Sequence, residues 1–340
     1  MRLNQTVPDT WTIINLLSWT EGYFKSSDID SPRLTAEILL CHALNIRRLD
    51  LYLQFDRPLN KGELATYKSL IKRRVRREPV AYITGTKGFW DSQFLVTPDV
   101  LIPRPDTETL VEAAVNLIKN KRVEQEQLNK NYRYKDTIFR NTIRVLELGT
   151  GSGAISISIA KEHPDLIFFA TDISPKAAMI AKQNSICASM SDSLPLSESL
   201  PNKSISISDN TSVSGFTNLF FITASWFSPI KQGTKFDVIV SNPPYISTDD
   251  IKTLQQDVRD YEPLLALDGG ADGISCLREI MVSAPDYLEP DGVLLMEMGF
   301  DQKKKVEHEA LKTRQYEQPV FIKDYAGHDR VVYLEKLKRV

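Results

Sequence analysis

The chain has 340 residues, 42% of them hydrophobic, which is enough apolar material for two domains with real cores. A formal net charge of −2 and an isoelectric point near 6.2 exclude a globally basic surface, and with it tight non-specific nucleic-acid binding. Cys41, Cys187 and Cys276 stand far apart with no CxxC, and His42, His163, His308 and His328 are equally scattered, so neither a disulfide framework nor a metal site is expected.

Met1 to Trp11 mixes Arg2, polar residues and Pro8, unlike a secretory leader, and no apolar run is long enough to span a bilayer; a soluble intracellular protein is expected. From Trp11, the residues Ile13, Ile14, Leu16, Leu17, Tyr23 and Phe24 predict an amphipathic helix ending near Gly22. Pro32 opens a second, with Leu34, Ile38, Leu39 and Ala43 on one face, and Leu49–Phe55 and Leu64–Val75 complete a small bundle. The basic run Lys72-Arg-Arg-Val-Arg-Arg77 reads as a solvated helix face over inward Leu70, Ile71 and Val75; docking of an acidic or RNA-bound partner is the alternative.

Ala81 to Val96, with Gly85, Gly88 and aromatic Phe89, Trp90 and Phe94, predicts a β-hairpin. The proline-punctuated turn Leu101-Ile-Pro-Arg-Pro-Asp-Thr-Glu108 leads into a helix capped by Asp106 or Thr107, with a site-facing role open for Arg104. Asn120 to Asn141 is charged and polar, more linker than core.

Ile143-Arg-Val-Leu-Glu-Leu-Gly-Thr-Gly-Ser-Gly153 is an apolar strand running into three glycines, followed by a helical pattern. The spacing departs from the dinucleotide fingerprint, because Ala154 and Ile155 follow Gly153 directly, which favours a nucleoside-like ligand. A second strand, Leu166–Thr171, ends at Asp172, an acid placed to accept hydrogen bonds from ribose hydroxyls. Ser185 to Gly215 is serine-rich with few bulky apolar residues and is expected to be a flexible insertion.

Phe236-Asp-Val-Ile-Val-Ser-Asn-Pro-Pro-Tyr245 is a buried strand that stops at Asn242, after which two prolines enforce a stiff, extended tip. Such a tip suits methylation of a planar nitrogen, a carboxamide or an exocyclic base amine, whose delocalised lone pair makes it a poor nucleophile. The Asn242 side-chain oxygen and the Pro243 carbonyl can each accept one N–H of the target, and Tyr245 can pack on its flat face. That is catalysis by orientation and fixed dipoles rather than by a general base. The same four residues also suit a plain turn after a strand. Glycine turn, acid-tipped second strand and Asn-Pro-Pro-Tyr in this chain order point to S-adenosylmethionine as the methyl donor. Further on, Ile274–Leu288 and Asp301–Leu311 read as helices, and Gly292–Met298, Val320–Lys323 and Arg330–Leu334 as strands. The alternation implies a mostly parallel, doubly wound Rossmann-like α/β sheet with one antiparallel strand.

Across nearly its whole length the sequence resembles the HemK (PrmC) family of release factor glutamine methyltransferases. The likeness is carried by the Pro-Arg-Pro-Asp-Thr-Glu turn, Glu-Leu-Gly-Thr-Gly-Ser-Gly, Ser-Asn-Pro-Pro-Tyr-Ile, and Tyr261-Glu-Pro-Leu-Leu-Ala-Leu-Asp-Gly-Gly270. The resemblance implies a class I S-adenosylmethionine-dependent methyltransferase fold, with a helical substrate-recognition domain over residues 1–80, a hairpin linker over 81–105 and a catalytic domain over 106–340. It implies that Gly149, Thr150, Gly151, Ser152 and Gly153 cradle the cofactor, that Asp172 holds its ribose, that Trp226 and Asn242 lie beside it, and that Asn242, Pro243, Pro244 and Tyr245 bind the substrate. That substrate is the glutamine of the Gly-Gly-Gln motif in class I peptide release factors, methylated on its side-chain nitrogen by a cytoplasmic monomer (organellar in a eukaryotic host), with no membrane or stable nucleic-acid partner. The family usually carries an acid before that tryptophan; here the residue is Ser225.

Two readings from other classes stand beside this one. A DNA or RNA adenine-amino methyltransferase would present a flipped base to the same tip, and a non-catalytic cofactor-binding scaffold would leave Asn242 and Tyr245 without a task.

Overall fold

The computed structural model describes residues 10–131, 142–191 and 216–338, and falls into two compact units, divided near Gly85. Among the described residues no helix is long and apolar enough to cross a membrane.

The first unit is helical: α1 (Ile13–Ser26), α2 (Pro32–Leu44), α3 (Arg48–Leu53), α4 (Lys61–Val75) and α5 (Val80–Thr84). The segment Gln256–Tyr261 belongs to it too. Asn60 begins α4 through a reciprocal cap, its side chain accepting from the Gly62 and Glu63 amides while Glu63 accepts from its own. Helix α1 does not stop at Gly22 but runs to Ser26. One interior glycine costs only about 1 kcal/mol, less than full burial of Phe24, beyond it, contributes.

The expected inward face of α2 is also shifted. Leu34 and Ile38 are exposed, whereas Thr35, Ala36, Leu39 and Leu40 are buried together with Glu37. The Glu37 carboxylate is compensated by Arg33 Nε, Arg48 Nε and the Tyr52 hydroxyl, each at 2.7 Å. The basic run is likewise not uniformly solvated: Arg74 is buried, donating to the Arg77 and Glu78 carbonyls and to Asp257 of the same unit.

The second unit opens with the hairpin β1 (Thr86–Phe89) and β2 (Ser92–Leu95), shorter than expected because residues from Val80 to Thr84 are helical. Then follow α6 (Glu108–Asn131), β3 (Arg144–Leu148), α7 (Ala154–Glu162), β4 (Ile167–Asp172), α8 (Pro175–Ser191), β5 (Leu219–Thr223) and β6 (Phe236–Ser241). After α9 (Gln256–Arg259, part of the first unit) come α10 (Ser275–Ser283), β7 (Leu288–Glu297), α11 (Lys303–Thr313), β8 (Val320–Lys323) and β9 (Asp329–Glu335).

The region from Asn120 is helix rather than linker as far as Asn131, anchored by Lys121 Nζ on the Asp291 carbonyl at 2.7 Å. Residues 132–141 of that expected linker lie outside the described residues. The serine-rich stretch is helical to Ser191, with Ser185 and Ala188 buried, and the rest of the expected insertion, 192–215, also lies outside them.

The large sheet has the order β5-β4-β3-β6-β7-β9-β8. All neighbours from β5 to β7 are parallel, and β9 is antiparallel to both β7 and β8, so one strand runs against the rest, as the sequence predicted. Both faces are covered, which is why these strands read as apolar runs. Val145, Val238, Val240 and Leu295 join one core cluster; Leu146, Leu148, Ile239 and Leu294 join the other.

Candidate active site

The order reverses at β3, whose neighbours β4 and β6 lie on its two sides, and the crevice outside the carboxyl ends of strands at such a switch point is where doubly wound folds bind ligands. A cavity of about 420 Å³ opens there, with Gly149, Gly151, Asp172, Trp226, Asn242 and Pro244 in its wall. Thr150, Ser152 and Ser225 line it as well. Glycine turn, acid and Asn-Pro-Pro tip, spread over almost a hundred residues of sequence, meet in one pocket.

The turn after β3 is fixed by the Gly149 and Thr150 amides, which both donate to the Thr171 carbonyl at 2.9 Å. Gly149 and Gly151 have φ of +76° and +56°, the left-handed region that only glycine enters at little cost. A side chain on Gly151 would meet nothing within 4 Å, so the backbone there is bare to the cavity. Gly153 is different: it does not line the cavity, and a Cβ there would press on Ile157 and Ala181, so it serves the packing of α7 against α8.

Asp172 accepts from the Gly151 amide through one oxygen and from the Ser174 amide through the other, both at 2.8 Å. Burial raises its proton affinity, and the two N–H donors work against that. Beneath the glycines, Glu147 is fully buried, takes the Thr150 hydroxyl at 2.6 Å on one oxygen, and has no partner for the other among the described residues. Burial pushes its carboxyl up to about 7. The Trp226 ring lies over Gly149, its Cζ3 atom 3.5 Å from where a Cβ would sit, on a backbone with φ of +41°.

At the tip, Asn242 Nδ2 donates to Thr107 Oγ1 at 3.1 Å. Pro243 is buried and outside the cavity wall, and no donor among the described residues reaches its carbonyl. Tyr245 is also outside the wall; its hydroxyl turns inward to Glu297 Oε1 at 3.0 Å. Arg104 lines the cavity and pairs with Glu262, which also takes the Ile102 amide at 3.2 Å.

Sequence reasoning did not single out Glu297, Gln302 or Glu262. The available signal was a lone acid in the apolar run Leu294-Leu-Met-Glu-Met298, where an unpaired charge is costly to bury.

Residues 15–85 match the family model of the PrmC N-terminal domain, and residues 167–264 match that of the Eco57I restriction-modification methylase. A release factor glutamine methyltransferase of Geobacter sulfurreducens is 37% identical over 299 residues, covering 88% of both chains. That of Vibrio cholerae is 37% identical over 320 residues, covering 94% of this chain and 95% of its own. Among solved structures, the ribosomal protein L11 methylase of Lactobacillus delbrueckii subsp. bulgaricus is 15% identical with a TM-score of 0.39, covering 69% of this chain and 81% of that one. At 37% identity to both relatives over 88% and 94% of its length, this chain belongs to the release factor glutamine methyltransferase family.

Proposed function

We propose that this chain methylates the side-chain amide nitrogen, N5, of the glutamine in the Gly-Gly-Gln motif of a class I peptide release factor, with S-adenosylmethionine as donor. The observation that carries the reading is the Asn242 carboxamide, which shares one cavity wall with Gly149, Gly151 and Asp172.

The residues fit the donor. Bare backbone at Gly151 admits close approach, and Asp172, with one amide on each carboxylate oxygen, keeps lone pairs for ribose hydroxyls. Trp226 and apolar Ile155 and Ala177 offer a surface for a flat base. Bound there, S-adenosylmethionine supplies an electrophilic methyl on a sulfonium.

The chain's own residues then orient the nucleophile. Asn242 Oδ1 and the Pro243 carbonyl accept the two N–H groups of the glutamine amide, which aims its lone-pair face at the methyl and stabilises the positive charge that develops on nitrogen. After transfer that cationic nitrogen sheds one proton to solvent. Ser225 stands where the resemblance to the family implies an acid, and in this reading the adenine amine is left one acceptor short; Ser225→Asp should tighten cofactor binding. The helical unit that matches the PrmC N-terminal domain is the release-factor recognition module in this reading, and the enzyme works as a monomer.

The test is methyl transfer from labelled cofactor to a purified class I release factor, to its Gly-Gly-Ala variant and to adenine-containing DNA. Label on the factor, lost with the Gln→Ala change, is the expected result. Label on DNA alone would reassign the pocket to a flipped base, the chemistry that the Eco57I match over residues 167–264 keeps in view.

A further inference from the structure

The turn that leads into α6 holds one arginine between two prolines, Pro103-Arg-Pro105. Each proline fixes its own φ and keeps the residue before it out of the helical region, and Arg104 is accordingly extended, with φ −103° and ψ 143°. Ile102 and Pro103 are buried and anchor the segment, while the Arg104 side chain lines the cavity and stays 34% exposed. A stiff mount of this kind aims a side chain.

Glu262 supplies the other half of the mount. Its side chain is 1% exposed; Oε1 takes the Arg104 Nη2 donor and Oε2 the Ile102 amide at 3.2 Å, so one buried carboxylate grips both ends of the Ile102–Arg104 stretch. A buried charge needs such a partner, and that need alone would account for an arginine here. It does not account for the rest of the guanidinium. The group carries five N–H donors in one plane; among the described residues only Glu262 receives any of them, and only from Nη2. That leaves Nε and Nη1 for whatever fills the cavity, and a guanidinium edge matches a carboxylate through two parallel bonds.

Charge in the wall narrows the ligand. Arg104 is its one cationic side chain among the described residues, against Asp99, Asp172 and Asp268. Residues 99–107 cross from the Asp172 side, where Asp99 takes Lys176 Nζ at 2.9 Å near the start of α8, to the β6 side, where Thr107 meets Asn242. Arg104 stands close to the second end. A donor that rests its ribose on Asp172 and delivers its methyl at Asn242 has one part still unassigned, the amino-acid arm. The α-carboxylate of that arm is its single anionic group.

We infer that Arg104 binds the α-carboxylate of S-adenosylmethionine, and that Glu262 is the positioning residue that holds the guanidinium for it. The inference rests on the proposed donor and not on the acceptor, since it is the same whether a glutamine or a base is methylated.

Calorimetric titration with S-adenosylmethionine and with its decarboxylated form reads the contact directly, because the second keeps the nucleoside, sulfonium and amine and lacks only the carboxylate. Wild type should bind the first more tightly, by on the order of tenfold to a hundredfold, the span of a charge-assisted hydrogen bond. Arg104→Ala should lose most of that ratio through weaker binding of S-adenosylmethionine, with the decarboxylated form within about threefold of its wild-type Kd or tighter. Arg104→Lys keeps a cation against Glu262, and with it the fold, but gives up the planar fork; a ratio of about three- to tenfold should remain. Glu262→Gln removes the charge that orients Arg104 and should also narrow the ratio. A ratio taken on one protein cancels any loss of folded material, so a merely structural role for either residue would leave it unmoved. Equal weakening of both ligands in Arg104→Ala and Arg104→Lys, or a wild-type ratio near one, would overturn the contact. An unchanged ratio in Glu262→Gln would overturn its positioning role. Unchanged Kd for both ligands in the Arg104 variants, with a raised KM for the release factor, would overturn the contact and reassign Arg104 to the protein substrate. Wild type that binds neither ligand would overturn the donor itself.

Discussion

The side-chain Nε2 of Gln302 donates to the main-chain carbonyl of Tyr245 at 2.7 Å. The same nitrogen reaches the Gly273 carbonyl at 3.1 Å, and Oε1 accepts from the Gly299 amide at 2.9 Å, so one buried amide ties the loop after β7 to the tip after β6. Gln302→Leu retains the bulk and leaves three backbone groups without that partner. Each buried group so stranded costs about 1–3 kcal/mol. A lower denaturation midpoint and reduced kcat are expected, with cofactor affinity held, because Gln302 touches neither the glycine turn nor Asp172. A variant as stable as wild type would mean that the tip is held by other contacts.

Two glycines should separate binding from turnover. A Cβ on Gly269 would sit 2.7 Å from the Gly273 carbonyl oxygen and 2.8 Å from Tyr245 Cα, so Gly269→Ala must push the tip aside. On Gly151 it would meet open space at a φ of +56°, so Gly151→Ala costs roughly 1 kcal/mol of backbone strain and projects a methyl into the cavity proposed for the cofactor. Calorimetric cofactor titration and single-turnover methylation should show Gly151→Ala failing mainly in Kd and Gly269→Ala mainly in rate. The reverse pattern would exchange the two roles.

The central strands were legible because they are apolar runs buried on both faces that give way to turn-forming residues: glycine at 149, aspartate at 172, Asn-Pro-Pro at 242. The residues that hold the site in place were not. Thr107, Glu297 and Gln302 act across intervals of 52 to 135 residues, through partners that no local period encodes. The inward face of α2 was misread for a related reason: Glu37 looks solvent-bound until Arg33, Arg48 and Tyr52 are brought to it by the fold.

Arg74 makes the same point within a charge run. Neighbouring Lys72 and Arg76 are exposed, Arg73 is paired with Glu78, and Arg74 is 4% exposed with two carbonyls and Asp257 for partners. Arg74→Glu would put a carboxylate against carbonyl oxygens and another carboxylate, and breaking a buried pair in this way costs about 3–5 kcal/mol. The helical unit should lose its protection in hydrogen exchange. Lys72→Glu and Arg76→Glu should leave the melting curve within about 0.5 kcal/mol of wild type, which makes them the variants with which to test capture of an acidic partner.

Glu147 offers a pH test of the floor under the glycine turn. Its carboxyl is pushed from an ordinary 4.5 up to about 7, mainly by burial, with the Thr150 and Ser156 hydroxyls opposing the shift and the charge of Asp172 adding to it. Between those two values the folded chain keeps a proton that the unfolded chain has released. Stability contributed by this group is therefore fully present below pH 4.5 and falls as pH rises through 7. Glu147→Gln carries no charge in either state and has the Ser156 hydroxyl nearby as an acceptor for its N–H, so it should lack that slope. The variant should be more stable than wild type at pH 8, on the order of 1–3 kcal/mol, and close to it at pH 5. Glu297, pushed up to about 6 by burial, adds a slope of the same sign to both proteins, so the difference between their denaturation curves isolates Glu147. A gap of equal size at pH 5 and pH 8 would show that Glu147 is charged in neither condition or in both, and that the turn rests on an uncharged or a permanently ionised side chain.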